Sequence, residues 1–218
     1  MRRRATKAAA RGGRPSRADA LRLRERILAA ATELFLAEGY GLTSIEAVAK
    51  RAAVSKRTFY DRFDDKAALF AAVVHRIIAN IRPPPEVPLV EGATLEDILR
   101  RIALLILHAA LAPQALALHR LVSAESARFP ELARAVASDG STREATDLIG
   151  GLLERELGAA KLTAENREFA AAQFIFMVVA LPQRRAMGYG PPMTEGELEA
   201  WAGKVVGLFL DGCRGLDA

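Results

Sequence analysis

Apolar positions recur at three- and four-residue intervals along most of this chain, the spacing that lines one face of an α-helix. The first run carries Ile27, Leu28, Ala31, Leu34 and Phe35, with Asp19 as candidate N-cap and Gly39 as the stop. Thr43-Ser44-Ile45-Glu46 then reads as a capping box, with the Thr43 hydroxyl taking an amide of the first turn and Glu46 reaching back. It opens a short helix with Ile45, Val48, Ala49 and Ala52 on one side, ending near Ala53. Ser55 caps a second short helix, Lys56 to Phe63, and Asp64 caps a longer one striped with Leu69, Phe70, Val73, Val74, Ile77, Ile78 and Ile81. Prolines 83, 84, 85 and 88 break the pattern over residues 82–92. Beyond them the spacing predicts helices from Thr94 to about Ala112, from Pro113 to near Phe129 and from Pro130 to about Ala137. Further helices run from a Ser141–Glu144 capping box to about Leu157, from Thr163 to a kink at Pro182, and from a Thr194–Glu197 box to about Gly212. No strand pattern and no internal repeat is visible. The fold class is therefore all-α, with about nine to ten helices.

Composition supports this reading. The 218 residues are 51% hydrophobic, 26% charged and only 6% aromatic, and the abundant alanine and leucine are strong helix formers. The net charge of +5 is unevenly placed: residues 1–66 carry a net +8 and residues 67–218 a net −3. A basic first third on a slightly acidic body points to a polyanionic partner, unless it is simply a solvated arm. Residues 1–18, rich in Arg, Ala and Gly without periodicity, are expected to form a disordered basic arm. A single cysteine, Cys213, allows no internal disulfide and suits a reducing, cytoplasmic location. The basic N-terminus has no apolar stretch behind it and so is not read as a secretory signal. The longest apolar runs, within 102–113 and 169–181, are shorter than the roughly 20 residues a membrane helix needs and read as core.

Two short helices joined by Ala53-Val54-Ser55 have the proportions of a helix-turn-helix over Thr43 to Phe63. Ile45, Val48, Ala49, Val54, Phe59 and Phe63 pin the pair to its neighbours, leaving Lys56, Arg57, Thr58, Tyr60 and Arg62 facing outward. Lys and Arg pair with phosphates or guanine edges, and Thr and Tyr hydroxyls bond phosphates. The helix N-termini at Ser44 and Lys66 offer positive dipole ends, with the Lys66 charge added. A structural reading stands beside this one: Thr43 as a cap only, Tyr60 as packing only, or the whole as a helical hairpin with a charged face.

The stretch RERILAAATELFLAEGYGLTSIEAVAKRAAVSKRTFYDRFDDKAALF, residues 24–70, resembles the N-terminal domain of the tetracycline-repressor (TetR) family. Ile27, Ala31, Phe35, Gly39-Tyr40, Thr43-Ser44, Val48-Ala49, Val54-Ser55, Thr58, Tyr60, Phe63, Lys66 and Leu69 match in register. Ala53 departs from it, standing where the family usually has glycine in the turn. The resemblance implies an all-helical homodimer that binds double-stranded DNA at a near-palindromic operator. It also implies a repressor released when a small molecule occupies the C-terminal domain. The positions matching the family's DNA contacts are Thr43, Ser44, Ser55, Lys56, Arg57, Thr58, Tyr60 and Lys66, with Arg11, Arg14 and Arg17 of the arm as possible additions. The domains then run 1–18 (arm), 19–66 (a three-helix helix-turn-helix DNA-binding domain) and 67–218 (helical effector-binding and dimerisation domain).

In that last segment the two final helices carry apolar stripes, Phe169, Gln173, Phe174, Met177 and Leu181 on one and Leu198, Trp201, Val205, Leu208 and Phe209 on the other. By resemblance they build a four-helix bundle across a dimer, with Phe169, Gln173, Leu198, Trp201, Val205, Leu208 and Phe209 as interface candidates; an intramolecular core is the alternative. Candidates for an effector pocket between the middle helices are Ile102, Ile106, His108, His119, Val122, Phe129, Phe174 and Met177. His108 and His119 sit in mostly apolar helices, where they either present a polar group to a ligand or are satisfied core or surface residues. Neither has a carboxylate at ligand spacing, so no metal and no cofactor is expected. A sequence-tolerant DNA coater is a second reading, favoured by the arm. An enzyme is a third, against which stands the lack of a nucleophile elbow, phosphate-binding glycine loop or zinc motif.

Overall fold

The computed structural model describes residues 17–82, 94–158 and 163–213. Among them all regular structure is helical: α1 (Arg17–Glu38), α2 (Ile45–Arg51), α3 (Lys56–Tyr60), α4 (Lys66–Ile81), α5 (Leu95–Leu111), α6 (Pro113–Glu125), α7 (Pro130–Ala137), α8 (Ser141–Leu157), α9 (Ala164–Arg184) and α10 (Glu195–Cys213). A π-turn, Arg185–Tyr189, follows α9, so Pro182 lies inside a helix that continues past it and loosens only afterwards. Arg11, Arg14 and the proline run lie outside the described residues, whereas Arg17 opens α1 and is exposed.

Where two adjacent residues are both able to cap, the observed cap lies one residue beyond the sequence expectation. Ser44, not Thr43, caps α2 by accepting from Ala47 N at 3.1 Å, and Asp65, not Asp64, caps α4 by accepting from Ala68 N at 2.7 Å. Ser141 lies inside α8, whose N-cap is Gly140 with φ +85°, a left-handed conformation that glycine adopts freely. Asp19 lies in the first turn of α1 rather than at its cap. The chain leaves helix after Glu125 and turns before Pro130, so α6 ends short of Phe129. Ser55, Thr94, Thr163 and the Thr194–Glu197 box cap where expected.

The buried side chains form two cores. One, centred on Ile27, Phe35, Val48, Phe59, Phe70 and Val73, holds α1–α4 together and takes in Leu118 and Leu121 from α6 and Leu132 from α7. The other packs α5, α8, α9 and α10 around Leu107, Leu153, Phe174 and Val206. Each such side chain contributes about 1.5–3 kcal/mol of burial. Helices α6 and α7 thus belong by packing to the N-terminal core, although they follow the proline break in sequence. Helix α4 buries Ile77 there and turns Ile78 and Ile81 toward α5 and α8. Among the described residues no single helix is long and apolar enough to cross a membrane; α5 and α6 reach the length only as a pair bent by 64°.

Candidate nucleic-acid interface and effector cavity

Helices α2 and α3 are held by local chemistry. At the end of α2, Val54 N donates to Ala49 O at 2.9 Å and Ala53 N to Lys50 O at 3.1 Å. This is a Schellman turn with Ala53 in its left-handed position, φ +52°, where glycine is normally required. Arg26 of α1 braces the turn, its Nη2 donating to Ala52 O at 2.6 Å and to Ala53 O at 3.2 Å. Ser55 then caps α3 through Thr58 N at 3.0 Å and shares a 2.8 Å hydrogen bond with the Thr58 hydroxyl. Phe59, fully buried, anchors α3 to the core.

Of the residues matched to DNA contacts, Ser44, Ser55, Lys56, Arg57 and Tyr60 are exposed, Tyr60 at 51%, and Thr58 and Lys66 are half-buried. Thr43 is different: it is 1% exposed and its hydroxyl donates to Gly39 O at 2.7 Å, so its side chain belongs to the fold. Arg62 is also not the free outward cation expected, since it is half-buried and its Nε is buried without a partner. Lys56 forms an ion pair with Glu46, which bridges α3 to α2 and holds the lysine above and the glutamate below their usual pKa ranges. Lys66 lies over the Tyr40 ring, 4.3 Å from its centroid, with Nζ 3.5 Å from Gly41 O. Burial holds its ammonium below the usual lysine range, against the opposing pull of Glu125 and Glu131.

A cluster missed by sequence reasoning joins this region to α6. The Glu125 carboxylate accepts from Tyr40 N at 2.9 Å and from Gly41 N at 2.7 Å, so one side chain holds the loop between α1 and α2 by both oxygens. Tyr40 OH donates to Glu131 at 3.1 Å, and the Tyr40 ring packs edge-on to Phe129 at 5.1 Å. Burial and that hydrogen bond push the Tyr40 phenol well above its ordinary pKa. The partners are 84 to 91 residues apart in the chain, and no local pattern announces them.

Between α4, α5 and α8 lies a cavity of about 370 Å³, and a second of about 370 Å³ adjoins it toward α6 and α9, with Ile78, Ile81, Ile106 and Ala145 lining both. Of the effector candidates, Ile102, Ile106, His119 and Val122 line this two-lobed space. The other four are elsewhere. His108 is exposed and pairs with Glu195 at 2.7 Å, which draws it to the surface of α5. Phe129 packs on Tyr40. Phe174 is fully buried against Phe209, ring centroids 4.9 Å apart, and so is core. Met177 faces an outer groove between α9 and α10 with Phe176, Leu181, Trp201 and Leu208. The lobes are lined mostly by aliphatic side chains, with His119, Ser141, Thr142 and Gln183 as polar groups and Arg82 and Glu144 paired at 3.1 Å.

The interface candidates divide in the same way. Leu198, Val205 and Phe209 are buried within the chain's own second core, because α10 turns that stripe inward against α5 and α9. Trp201 is half-buried, its Nε1 donating to Val178 O at 2.9 Å and tying α10 to α9. Phe169, Gln173 and Leu208 are exposed, together with Phe176 and Leu181. Phe176 lies outside the stripes read from the sequence. Among the described residues no group of three or more His, Cys, Asp or Glu is placed to hold a metal ion.

An all-helical chain with a braced helix-turn-helix, and a largely apolar cavity between its two helical cores, has the build of a regulator of transcription. Residues 97–212 match the family model described as "AefR-like transcriptional repressor, C-terminal domain", and residues 27–73 match that of "Bacterial regulatory proteins, tetR family". The chain belongs to the TetR family of transcriptional regulators. It is similar to a TetR-family transcriptional regulator of Mesorhizobium loti, with a TM-score of 0.72, 27% identity, and coverage of 90% of this chain and 98% of that one. It is also similar to the flavonoid-responsive regulator FrrA, with a TM-score of 0.71, 31% identity, and coverage of 88% and 96%. The HTH-type transcriptional regulator UidR of Escherichia coli is 32% identical over 114 residues, 50% of this chain and 55% of the relative. The chain thus spans about half the length of the curated relatives it matches.

Proposed function

We propose that this chain is a homodimeric repressor that binds a near-palindromic operator in double-stranded DNA and leaves it when a small molecule fills the two-lobed cavity. The observation that carries this reading is the exposure of Ser44, Ser55, Lys56, Arg57 and Tyr60 on a helix-turn-helix whose backbone is fixed by two caps and by Arg26. In this reading Ser44, Ser55 and Thr58 offer hydroxyls, and Lys56, Arg57, Tyr60 and Lys66 offer charges and hydrogen-bond donors, to phosphates and base edges. Thr43 supports the site from within. Ile102, Ile106, His119 and Val122 line the effector site. Because the lining is mostly aliphatic and its Arg82–Glu144 pair is satisfied internally, a largely apolar molecule with a polar group within reach of His119 or Gln183 suits the cavity. The exposed apolar side chains of α9 and α10 form the dimer face, and the protein works in the cytoplasm.

Selection of bound duplexes from a random pool tests the reading. The expected product is an inverted repeat with half-sites about 34–36 Å apart or a multiple of that spacing, bound with affinity that falls steeply with salt. Equal affinity for shuffled DNA would favour the sequence-tolerant coater instead.

A further inference from the structure

We infer that Glu125 is the positioning residue that transmits the state of the cavity to the DNA-reading helices; this rests on the DNA-binding reading above. Three observations converge on it. First, both carboxylate oxygens are engaged, one on Tyr40 N and one on Gly41 N, so the loop that ends α1 and leads into α2 is gripped by a single side chain of α6. Hydrogen bonds to a charged acceptor are about twice as strong as neutral ones, and two on adjacent amides fix direction as well as distance.

Second, the loop is shaped around that carboxylate. A Cβ at Gly39 would fall 2.5 Å from one Glu125 oxygen, and a Cβ at Gly41 3.1 Å from the other and 3.2 Å from the Phe129 ring. Gly39 also takes φ +90°. The two glycines flanking Tyr40 are therefore what allow the backbone to approach. Gly39 O, on the same loop, accepts the Thr43 hydroxyl at 2.7 Å, and Ser44 begins α2 directly after it. Any displacement of Glu125 is thereby delivered to the start of the helix-turn-helix.

Third, α6 faces the cavity. Leu118 and Val122 line one lobe, and Glu125 follows them at the four- and three-residue steps that keep side chains on one helix face. Helix α6 begins with Pro113 after a bend of 64° from α5, and Leu118 and Leu121 pack it against the core that holds α1–α4, so α6 touches the cavity and the DNA-reading domain together. A molecule that presses Val122 and Leu118 outward shifts Glu125 by a comparable amount. The hydrogen bonds at 2.7 and 2.9 Å have little slack to absorb this before they break or pull the loop along.

Coupling between two sites is reciprocal, so the test runs from the DNA side and needs no effector. Hydrogen exchange is followed by mass spectrometry in the full chain, free and bound to the selected operator. In the wild-type protein the operator slows exchange in 44–66 and also in α6, 113–125. In Glu125→Gln, which keeps the side-chain volume but turns an amide donor toward the loop, exchange over 39–43 in the free protein rises at least tenfold. Operator binding persists there, and the α6 response disappears. Gly41→Ala, which crowds the carboxylate from the other side, gives the same loss without altering α6. Tyr40→Phe, which removes only the Glu131 hydrogen bond, retains the α6 response. If α6 responds equally in wild type and Glu125→Gln, or does not respond in wild type, the role of Glu125 is overturned. If the wild-type chain selects no operator, the DNA-binding reading fails with it, an outcome distinct from operator binding without an α6 response.

Discussion

Among the described residues, Ala53 is the one non-glycine residue in the left-handed region. A left-handed φ of +52° costs an alanine about 1–2 kcal/mol relative to a right-handed one, and glycine escapes this cost. Ala53→Gly is expected to stabilise the chain by about 1 kcal/mol after the extra freedom of the unfolded glycine is counted, raising Tm by roughly 2–4 °C. Calorimetry checks this, and an unchanged or lowered Tm would refute it. Lys66 is the second informative residue. Its pKa is depressed in the folded chain by burial, so the folded state holds its proton less well than the unfolded one. The sign is opposite for the two properties it affects. Stability rises slightly as pH climbs through the window below the ordinary lysine value, because the buried charge is relieved. Operator affinity falls across that window, because a neutral amine no longer pairs with phosphate. Lys56, held high by Glu46, keeps its charge there. Affinity measured by anisotropy at fixed ionic strength, as pH is raised toward the ordinary lysine value, is expected to decline in wild type and flatten in Lys66→Arg.

At the scale of elements, the helices were legible because their apolar stripes are long and their caps are chemically explicit. Ser55, Thr94, Thr163 and Thr194 cap as read. What the pattern does not resolve is which of two adjacent cappers is used. Thr43 precedes Ser44 and Asp64 precedes Asp65, and for the first pair the choice follows from a local hydrogen bond: Thr43 is turned inward by Gly39 O, four residues back. The same limit governs the stripes of α9 and α10, since an apolar residue suits a core, a pocket or an interface alike. Phe174 illustrates it. As a fully buried partner of Phe209 it is a structural residue. Phe174→Ala is therefore expected to cost about 3–5 kcal/mol, seen as a lowered denaturation midpoint with an unchanged slope. A pocket-wall residue would instead give a small stability change and altered ligand uptake. Glu125 lay beyond sequence reading for a different reason: a lone carboxylate near the end of a helix is almost always solvated, and its partners are 84 and 85 residues away.

For the whole molecule, the proposed assembly rests on the exposed side chains of α9 and α10. Phe176 is 68% exposed, Leu208 67% and Phe169 56%, with Leu181 on the same pair of helices. Phe176, Leu181 and Leu208 also line one groove of about 290 Å³ with Trp201. Large apolar side chains clustered on one face of a monomer mark a contact surface. A second copy of the same two helices would cover them by the self-complementary contact that two-fold symmetry provides. Placing a charge in that contact leaves it buried and unpaired, which costs far more than the loss of one aliphatic group. Phe176→Arg combined with Leu208→Arg is expected to leave the fold intact, because both residues are already solvent-facing in the single chain. Sedimentation should then report a species near 23.5 kDa where the wild type gives twice that. The DNA consequence follows from linkage of the two half-sites: losing the second reader removes its effective concentration, and affinity for the full operator should fall by about 10²–10⁴. Affinity for an isolated half-site should change little. A double variant that stays dimeric would place the dimer face elsewhere. One that becomes monomeric yet binds the full operator unchanged would show that the two readers do not act together.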